Sequence, residues 1–233
     1  MPGSPRLGRV WPVAVAVLAF AVAINLSTPA IATAVLKSAF GRSFHVGGGI
    51  QASVEAWPPP APWWGTADVM SLAARDVHFG DLQLATFSAT LDRVRFDPVA
   101  LYLRHTLVIR SIGFGVAHAE VSQDALARTL ALQPNIRVAS VVLRPGRVFL
   151  RGSLSVLGAQ VPVEAQGRLV LTDAAGVQFI LDQATVAGGT LQVPRSGLVK
   201  SNITVPPMPF GLHLTSVIVG DGRLAFDAAT GSP

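Results

Sequence analysis

Hydrophobic and polar residues alternate with a period of two along most of this chain, as in strands that bury one face. The alternation begins near Ile50 and is interrupted by short turns such as Pro145-Gly146 and Gly220-Asp221-Gly222. Short connections join antiparallel neighbours, and glycine supplies the positive φ that tight hairpins need. The pattern predicts strands at 50–56, 66–79, 82–96, 106–121, 135–143, 147–157, 160–171, 177–186, 211–219 and 223–227.

The alternation changes phase inside the longest predicted strand, 82–96. Apolar residues occupy even positions at first, odd positions from Phe87 to Leu91, and even positions again from Val94. A shift of one residue exchanges the two faces of a strand unless a bulge absorbs it. The pattern therefore predicts bulged strands and a long, strongly curved antiparallel sheet.

Two amphipathic helices interrupt the strand pattern. One is predicted at 29–40 and ends at Gly41; the other is predicted at 123–132, with Ser122 as its cap and Leu126 and Leu130 on one face. A curved sheet can wrap around such helices. The predicted fold class is thus α+β, with one long antiparallel sheet around one or two helices and an apolar helix before them.

The first 34 residues have the composition of a signal peptide or membrane anchor. Arg6 and Arg9 precede an apolar run at residues 10–24, which would be roughly 22 Å long as a helix. That is shorter than the ~30 Å hydrocarbon core, so cleavage after Ala32 or Ala34 and retention of residues 10–26 as an anchor both fit. We expect an exported, cell-envelope protein with one β-rich domain at 35–233.

Composition narrows the possible partners. Without Arg6 and Arg9 the chain has 16 basic and 13 acidic residues, and no cluster of Lys and Arg, so nucleic acid is not an expected partner. Cysteine is absent, which excludes disulfides, thiolate metal sites and a lipidated cysteine. Charged residues make up only 13% of the chain and its mean hydropathy is +0.49, which is low charge and high hydrophobicity for a soluble domain. This apolar content fits a surface that binds a ligand, and it fits equally well long strands that face a core on one side and a helix on the other.

Residues 57–64 form the most biased segment, with Trp57, Trp63 and Trp64 around four prolines. The segment fits a rigid corner that covers one end of the core. It also fits an aromatic rim at a membrane interface or at the mouth of a pocket, where indole rings are partly hydrated.

Candidate catalytic residues are few. Asp76 and His78, and likewise His118 and Glu120, are two residues apart on predicted strands and share a face. Neither pair has a third ligand at a suitable spacing. No catalytic residue, metal or cofactor is predicted, and an envelope hydrolase is the weakest of the hypotheses.

Several spaced motifs resemble a known family. They are Arg75-Asp76-Val77 with Gly80, the segment 91–97 (LDRVRFD), Ala119-Glu120-Val121-Ser122 opening a helix, Pro145-Gly146-Arg147-Val148, Val161-Pro162-Val163, and the segment 206–212 (PPMPFGL) before Asp221-Gly222. Over roughly residues 30–227 the chain resembles the LmeA-like family of bacterial cell-envelope phospholipid-binding proteins. The resemblance implies a fold of the tubular lipid-binding (TULIP-like) group and a role in lipid binding or envelope glycolipid assembly.

The function expected from these observations is non-enzymatic binding of a phospholipid or lipid-linked glycan at a membrane surface, with acyl chains held between sheet and helix. Large side chains on bent strands and on the helix are the candidate lining residues. They are Phe79, Phe87, Leu91, Phe114, Leu126, Leu130, Phe149 and Phe179. The alternative is an exported β-rich structural or interaction module whose interior is solid.

Overall fold

The computed structural model is a mostly antiparallel β structure with three α-helices in the described residues. These residues are 28, 30–42, 46–79, 82–131, 136–156, 159–172, 176–186, 189–192, 200–203 and 209–231. The helices are α1 (28 and 30–42), α2 (Pro98–Arg104) and α3 (Gln123–Ala131). The strands are β1 (Ile50–Glu55), β2 (Thr66–Phe79), β3 (Leu82–Phe96), β4 (Ile109–Ser111), β5 (Phe114–Ser122), β6 (Ile136–Arg144), β7 (Arg147–Val156), β8 (Ala159–Leu171), β9 (Val177–Val186), β10 (Gly189–Gln192), β11 (Lys200–Ile203), β12 (His213–Val219) and β13 (Arg223–Ala229).

The strands form two antiparallel sheets instead of the single sheet that was predicted. The first sheet has the order β1-β2-β3-β5-β13-β12, and β4 also pairs with β3. The second has the order β10-β9-β8-β7-β6, and β11 also pairs with β9. β5 pairs with β13, which follows it by about 100 residues, and β6 to β11 between them pair only among themselves. The predicted α+β class with antiparallel strands is confirmed, but the division into two sheets was missed.

Most strand boundaries follow the alternation, but the region after β3 does not. The predicted strand at 106–121 is wrong over its first part, because only β4 and β5 are extended there. The short helix α2 precedes them and was not predicted. The Asp97 carboxylate caps α2 by accepting a hydrogen bond from the Ala100 amide at 3.0 Å. α1 also continues through Gly41, where the sequence predicted its end.

The phase changes predicted in β3 are present, and β2 shares them. Buried positions in β3 shift between Leu84 and Phe87 and again between Leu91 and Val94. The β2–β3 register nevertheless stays constant, so both strands change face together. Asp76 in β2 and Arg93 in β3 have positive φ at these two places. Register shifts occur instead in the β3–β4, β6–β7, β8–β9 and β12–β13 pairs.

One hydrophobic core joins α1 and both sheets. Leu36 and Phe40 of α1 are at most 1% exposed, and the Phe40 ring stacks on Phe87 of β3 with centroids 5.8 Å apart. Leu143 and Val148 of the second sheet belong to the same cluster. α1 therefore covers the first sheet, and the second sheet continues the core that they form.

The two sheets are joined where the β6–β7 turn meets the β12–β13 turn. The Gly146 amide donates to the Val219 carbonyl at 2.9 Å, and the Gly222 amide donates to the Leu143 carbonyl at 3.1 Å. In return, the Leu143 amide donates to the Gln123 side chain at 3.0 Å. α3 begins at Gln123 and packs on β6 as well as on β3 and β5. The start of α3 thus fixes the second sheet to the first.

The predicted leader lies outside the described residues. Of the helices in the described ranges, none combines the length and the hydropathy that a membrane span requires.

Candidate functional site

The inner side of the second sheet carries apolar residues that extend beyond the core. Leu150 of β7 packs against the core, and its cross-strand neighbours on the same face are Ala165 of β8 and Ala184 of β9. Val163 and Val186 pair with each other two residues further along the same two strands, and so share this face. We call Val163, Ala165, Ala184 and Val186 the inner apolar face.

The inner apolar face is incompletely covered by the described residues. Its four residues are half-buried, and none of them belongs to the core or packs directly against it. Leu169 and Phe179, further along β8 and β9, do pack against the core. The apolar surface therefore runs continuously from packed interior to partly exposed sheet. Such a surface can accept an acyl chain, because each methylene removed from water contributes about 0.8 kcal/mol.

Phe179 lies over a glycine at the boundary between core and inner apolar face. A Cβ placed on Gly167 would be 2.5 Å from the Phe179 ring and 2.3 Å from the Ile180 carbonyl oxygen. Only glycine leaves room for this ring position. The Phe179 ring therefore packs closely on the β8 backbone at Gly167.

Five of the eight predicted lining residues lie in the hydrophobic core or pack directly against it. Phe87 and Leu91 are fully buried in the core of the first sheet. Leu126 and Leu130 of α3, together with Phe179, are half-buried against the core. These last three flank the second sheet, since α3 packs on β6. Phe79 belongs to β2, but its side chain lies outside the described part.

Phe114 and Phe149 do not have the inward orientation that the sequence predicted. Phe114 is 48% exposed at the first position of β5, where the strand pairs with Asp92. Phe149 pairs with Val142 and Gln166 on the outer face of the second sheet. In each strand the side chains alternate between two faces. Leu150 in β7 and Ala117 in β5 are on the inward face, so Phe149 and Phe114 are on the outward face. The size of a side chain does not show which face of its strand it occupies, so choosing residues by size missed this.

The inner apolar face was not among the predicted site residues. Its members are small or β-branched and sit in strands that were predicted correctly at 160–171 and 177–186. The period-two pattern is the signal that could have found them. Choosing only the largest apolar side chains passed over them.

The outer face of the second sheet holds a half-open cavity of about 450 Å³ with mixed lining. Arg144 lies over the Phe149 ring at 5.5 Å from its centroid, and Arg151 pairs with Glu164 at 3.1 Å. Gln183 contributes an amide. These polar groups suit a hydrated ligand or solvent more than an acyl chain.

The predicted pair His118 and Glu120 gains a third group in the fold. His118 Nδ1 lies 2.7 Å from Asp227 Oδ1 of β13, and His118 Nε2 lies 3.8 Å from Glu120 Oε1. Arg223 lies 3.6 Å from the same Glu120 oxygen. The three side chains are partly exposed on the first sheet. Within the ranges the structure describes, no three His, Asp or Glu side chains form a group able to hold a metal ion.

The pair Asp76 and His78 marks a backbone contact. Asp76 has a φ of 52°, and its carbonyl oxygen accepts a hydrogen bond from the Gly47 amide at 2.9 Å. The loop after α1 docks on β2 at this point. The positive φ of Asp76 lies where the buried side chains of β2 change from one face of the strand to the other.

The three predicted interface tryptophans stand at one corner of the first sheet. Trp57 is 81% exposed, Trp64 is 69% exposed and Trp63 is 44% exposed. Trp63 is anchored on α2 by stacking on Tyr102, with ring centroids 4.6 Å apart. Burial raises the pKa of the Tyr102 hydroxyl. Trp63 is thus held in place by Tyr102, while the Trp57 and Trp64 rings are mostly exposed.

The model of a family described as LmeA-like phospholipid-binding matches residues 27–229. No curated protein and no solved structure matches the chain significantly.

Proposed function

The chain belongs to the LmeA-like phospholipid-binding family, and from this premise we propose that it binds phospholipid or lipid-linked glycan without chemically converting it. The acyl chain would lie on the inner apolar face, between the second sheet and α3. The single observation that carries this proposal is the partly exposed apolar surface that continues from the core along β8 and β9.

The proposed site explains why the described residues leave apolar side chains of the second sheet half-covered. A solid interaction module would bury them, because exposed apolar surface on an inward-facing sheet lowers stability. Phe179 of β9 lies where this surface meets the core, and Leu126 and Leu130 of α3 pack against the same core; in this proposal all three would contact the acyl chain where it enters the core. Affinity would come mainly from apolar area, with headgroup selection left to a few polar groups.

The test places a charge on either face of β8. Val163→Asp puts a carboxylate on the inner apolar face. Val170→Asp puts a carboxylate on the opposite face of the same strand, where the Val170 side chain is already 39% exposed. We expect Val163→Asp to abolish lipid co-purification and to weaken binding of a fluorescent phospholipid by tenfold or more, about 1.4 kcal/mol. Val170→Asp should bind as the unchanged chain does. Native mass spectrometry and fluorescence titration measure the two effects.

Equal lipid binding by both variants would contradict the proposed site. A lipid-free unchanged chain that also ignores phospholipid vesicles would contradict lipid binding itself and favour the exported interaction module. Circular dichroism of both variants serves as the folding control.

We further propose that the chain is exported and stays attached to the membrane through residues 10–26. Cleavage after Ala32 or Ala34 would cut within α1. Ala32 is completely buried in the core, Thr28 is 1% exposed, and the Thr33 hydroxyl accepts a hydrogen bond from the Val54 amide at 3.1 Å. Removing the first turn of α1 would therefore expose core residues. The intact mass of the protein from envelope fractions tests this, and a mature N-terminus at residue 33 or 35 would contradict it.

A further inference from the structure

A second apolar surface, separate from the inner apolar face, is formed by the tryptophan corner and α2. Val99 and Leu103 are 55% and 77% exposed, one helical turn apart on α2. Trp57 and Trp64 are 81% and 69% exposed, and Trp63 joins the two parts. We call Trp57, Trp63, Trp64, Val99 and Leu103 the docking surface. Contiguous exposure of this many large apolar side chains is unusual on a protein without a partner.

The docking surface is held rigidly by the residues beneath it. Trp63 stacks on Tyr102 and donates its indole N–H to the Thr28 hydroxyl at 3.1 Å. The Trp57 amide donates to the Asp68 carboxylate at 2.6 Å. Gly65 ends the 3₁₀ turn Ala61–Trp64 with a φ of 78°, and a Cβ there would be 2.2 Å from the Phe96 carbonyl oxygen. The exposed rings are thus presented by a fixed scaffold.

α2 is anchored by its opposite side. Ala100 and Leu101 are buried, and the Asp97 cap is itself bound to Arg110 at 2.8 Å. The helix therefore cannot turn Val99 and Leu103 inward without losing its own core contacts. Their exposure is a consequence of how α2 is attached.

The position of the leader in the sequence indicates what covers this surface. Thr28 contacts Trp63, and the apolar run at 10–24 ends only four residues before Thr28. A chain that enters the bilayer through this run places the tryptophan corner at the membrane surface. Indole rings concentrate at the boundary between headgroups and acyl chains, and the exposed Arg104 in the last turn of α2 suits lipid phosphates.

We propose that the docking surface inserts its tryptophans and the exposed side of α2 into the headgroup region of a phospholipid bilayer. The proposal deepens the proposed function, on which its biological meaning rests, by adding a membrane contact distinct from the lipid site. The second sheet joins the first near Val219 and Gly222. This junction lies at the end of β5 and the start of β13, whereas the tryptophan corner lies towards the start of β5. If the tryptophan corner contacts the bilayer, the second sheet lies at the opposite end of β5 and β13, away from the bilayer surface.

The absence of cysteine allows a single label at any chosen position. A polarity-sensitive fluorophore attached to the new cysteine of the Leu103→Cys chain lies on the docking surface. Ile218→Cys, 57% exposed on β12, is the matched control at the junction end. The full chain is reconstituted in vesicles of phosphatidylcholine and phosphatidylglycerol that contain a nitroxide-labelled acyl chain as quencher.

We expect the label at position 103 to shift its emission to shorter wavelength and to be quenched by the nitroxide, while the label at 218 reports water. Replacing both Trp57 and Trp64 by serine in the Leu103→Cys chain should remove the quenching. A label at 103 that stays in water while the chain is bound to the vesicles would overturn the proposal. So would quenching that is equal at 103 and 218.

Two further measurements separate this proposal from the lipid site. The Trp57→Ser/Trp64→Ser chain should still bind phospholipid dispersed in detergent, because its inner apolar face is unchanged. Conversely, Val163→Asp in the Leu103→Cys chain should keep the quenching at 103. Loss of quenching in the second variant would contradict an independent docking surface, whereas loss of binding in the first would place the tryptophans in the lipid site.

Discussion

Phe87 and Phe114 lie on adjacent strands of the first sheet but have opposite surroundings. Phe87 is buried and stacks on Phe40 of α1, whereas Phe114 is 48% exposed at the beginning of β5. Both were predicted to line the interior, because both are large and apolar. At the scale of a residue, the phase of the strand decides burial, and residue type alone does not.

Alanine substitutions at these two positions should therefore differ strongly. Phe87→Ala removes a ring from a packed core and is expected to lower the free energy of unfolding by about 3–5 kcal/mol. Phe114→Ala should cost about 1 kcal/mol, since half of its surface is already in water. Urea unfolding followed by circular dichroism measures both. Similar losses for the two variants would mean that Phe114 is buried in solution.

At the scale of an element, α2 shows how a short helix escapes prediction. Its seven residues contain no long amphipathic stripe, and the adjoining segment reads as a strand. Its stability depends on Asp97, which accepts a hydrogen bond from the Ala100 amide and also binds Arg110. Together these lower the pKa of the Asp97 carboxyl below its usual 3.8, the Ala100 hydrogen bond being the larger cause.

This lowered pKa predicts that α2 loosens in acid. The folded-state pKa of Asp97 lies below the unfolded value, so its stabilisation is present above pH 3.8 and is lost as pH falls through the folded pKa. Protection of the α2 amides from hydrogen exchange, corrected for the intrinsic rate, should fall over that range. The Asp97→Asn chain keeps a capping oxygen that does not titrate. An identical acid loss of protection in that chain would show that another group controls α2.

At the scale of the whole molecule, the two sheets share one core. Leu143 and Val148 of the second sheet lie in the same cluster as Phe40 and Leu91 of the first part of the chain. Hydrogen bonds between Gly146 and Val219 and between Gly222 and Leu143 tie the sheets together. A shared core of this kind makes the sheets unfold cooperatively.

Truncating Leu143 should therefore lower the stability of the whole chain. Leu143→Ala is expected to cost about 2–5 kcal/mol and to shift a single thermal transition down by about 2–4 °C for each kcal/mol. Its neighbour Val142 is 39% exposed on the outer face, so Val142→Ala should cost much less. Calorimetry and tryptophan fluorescence measure the transition, since the described tryptophans lie beside the first sheet. Two separate transitions, with only one affected, would contradict the shared core.

The strand alternation and the turn residues allowed most of the fold to be predicted. The bounds of β2, β3 and β9 agree with the prediction, and so does the capping of α3 by Ser122, whose hydroxyl accepts from the Ala125 amide at 3.2 Å. These features are local, because a period or a cap involves residues within one turn or strand. The α+β class and the LmeA-like family followed from the same local signals and are confirmed.

The candidate site was predictable only in part. Leu126, Leu130 and Phe179 were chosen for size, and all three pack against the core. Their contact with a lipid stays a prediction. The smaller residues of the inner apolar face were missed, because their exposure depends on which strands cover them. Val163 and Val186 read as ordinary core positions in the sequence.

By itself the sequence determined the period, the caps and the turns, since each of these depends on residues close together in the chain. It determined the family as well, through short motifs spaced along the chain. Only the tertiary structure decided that β5 pairs with β13, that the strands divide into two sheets, and that the described residues cover the inner apolar face of the second sheet only in part. It also brought Thr28 to Trp63 and α2 to the tryptophan corner. Strand partners and surface coverage depend on long-range packing free energy, which no local pattern encodes.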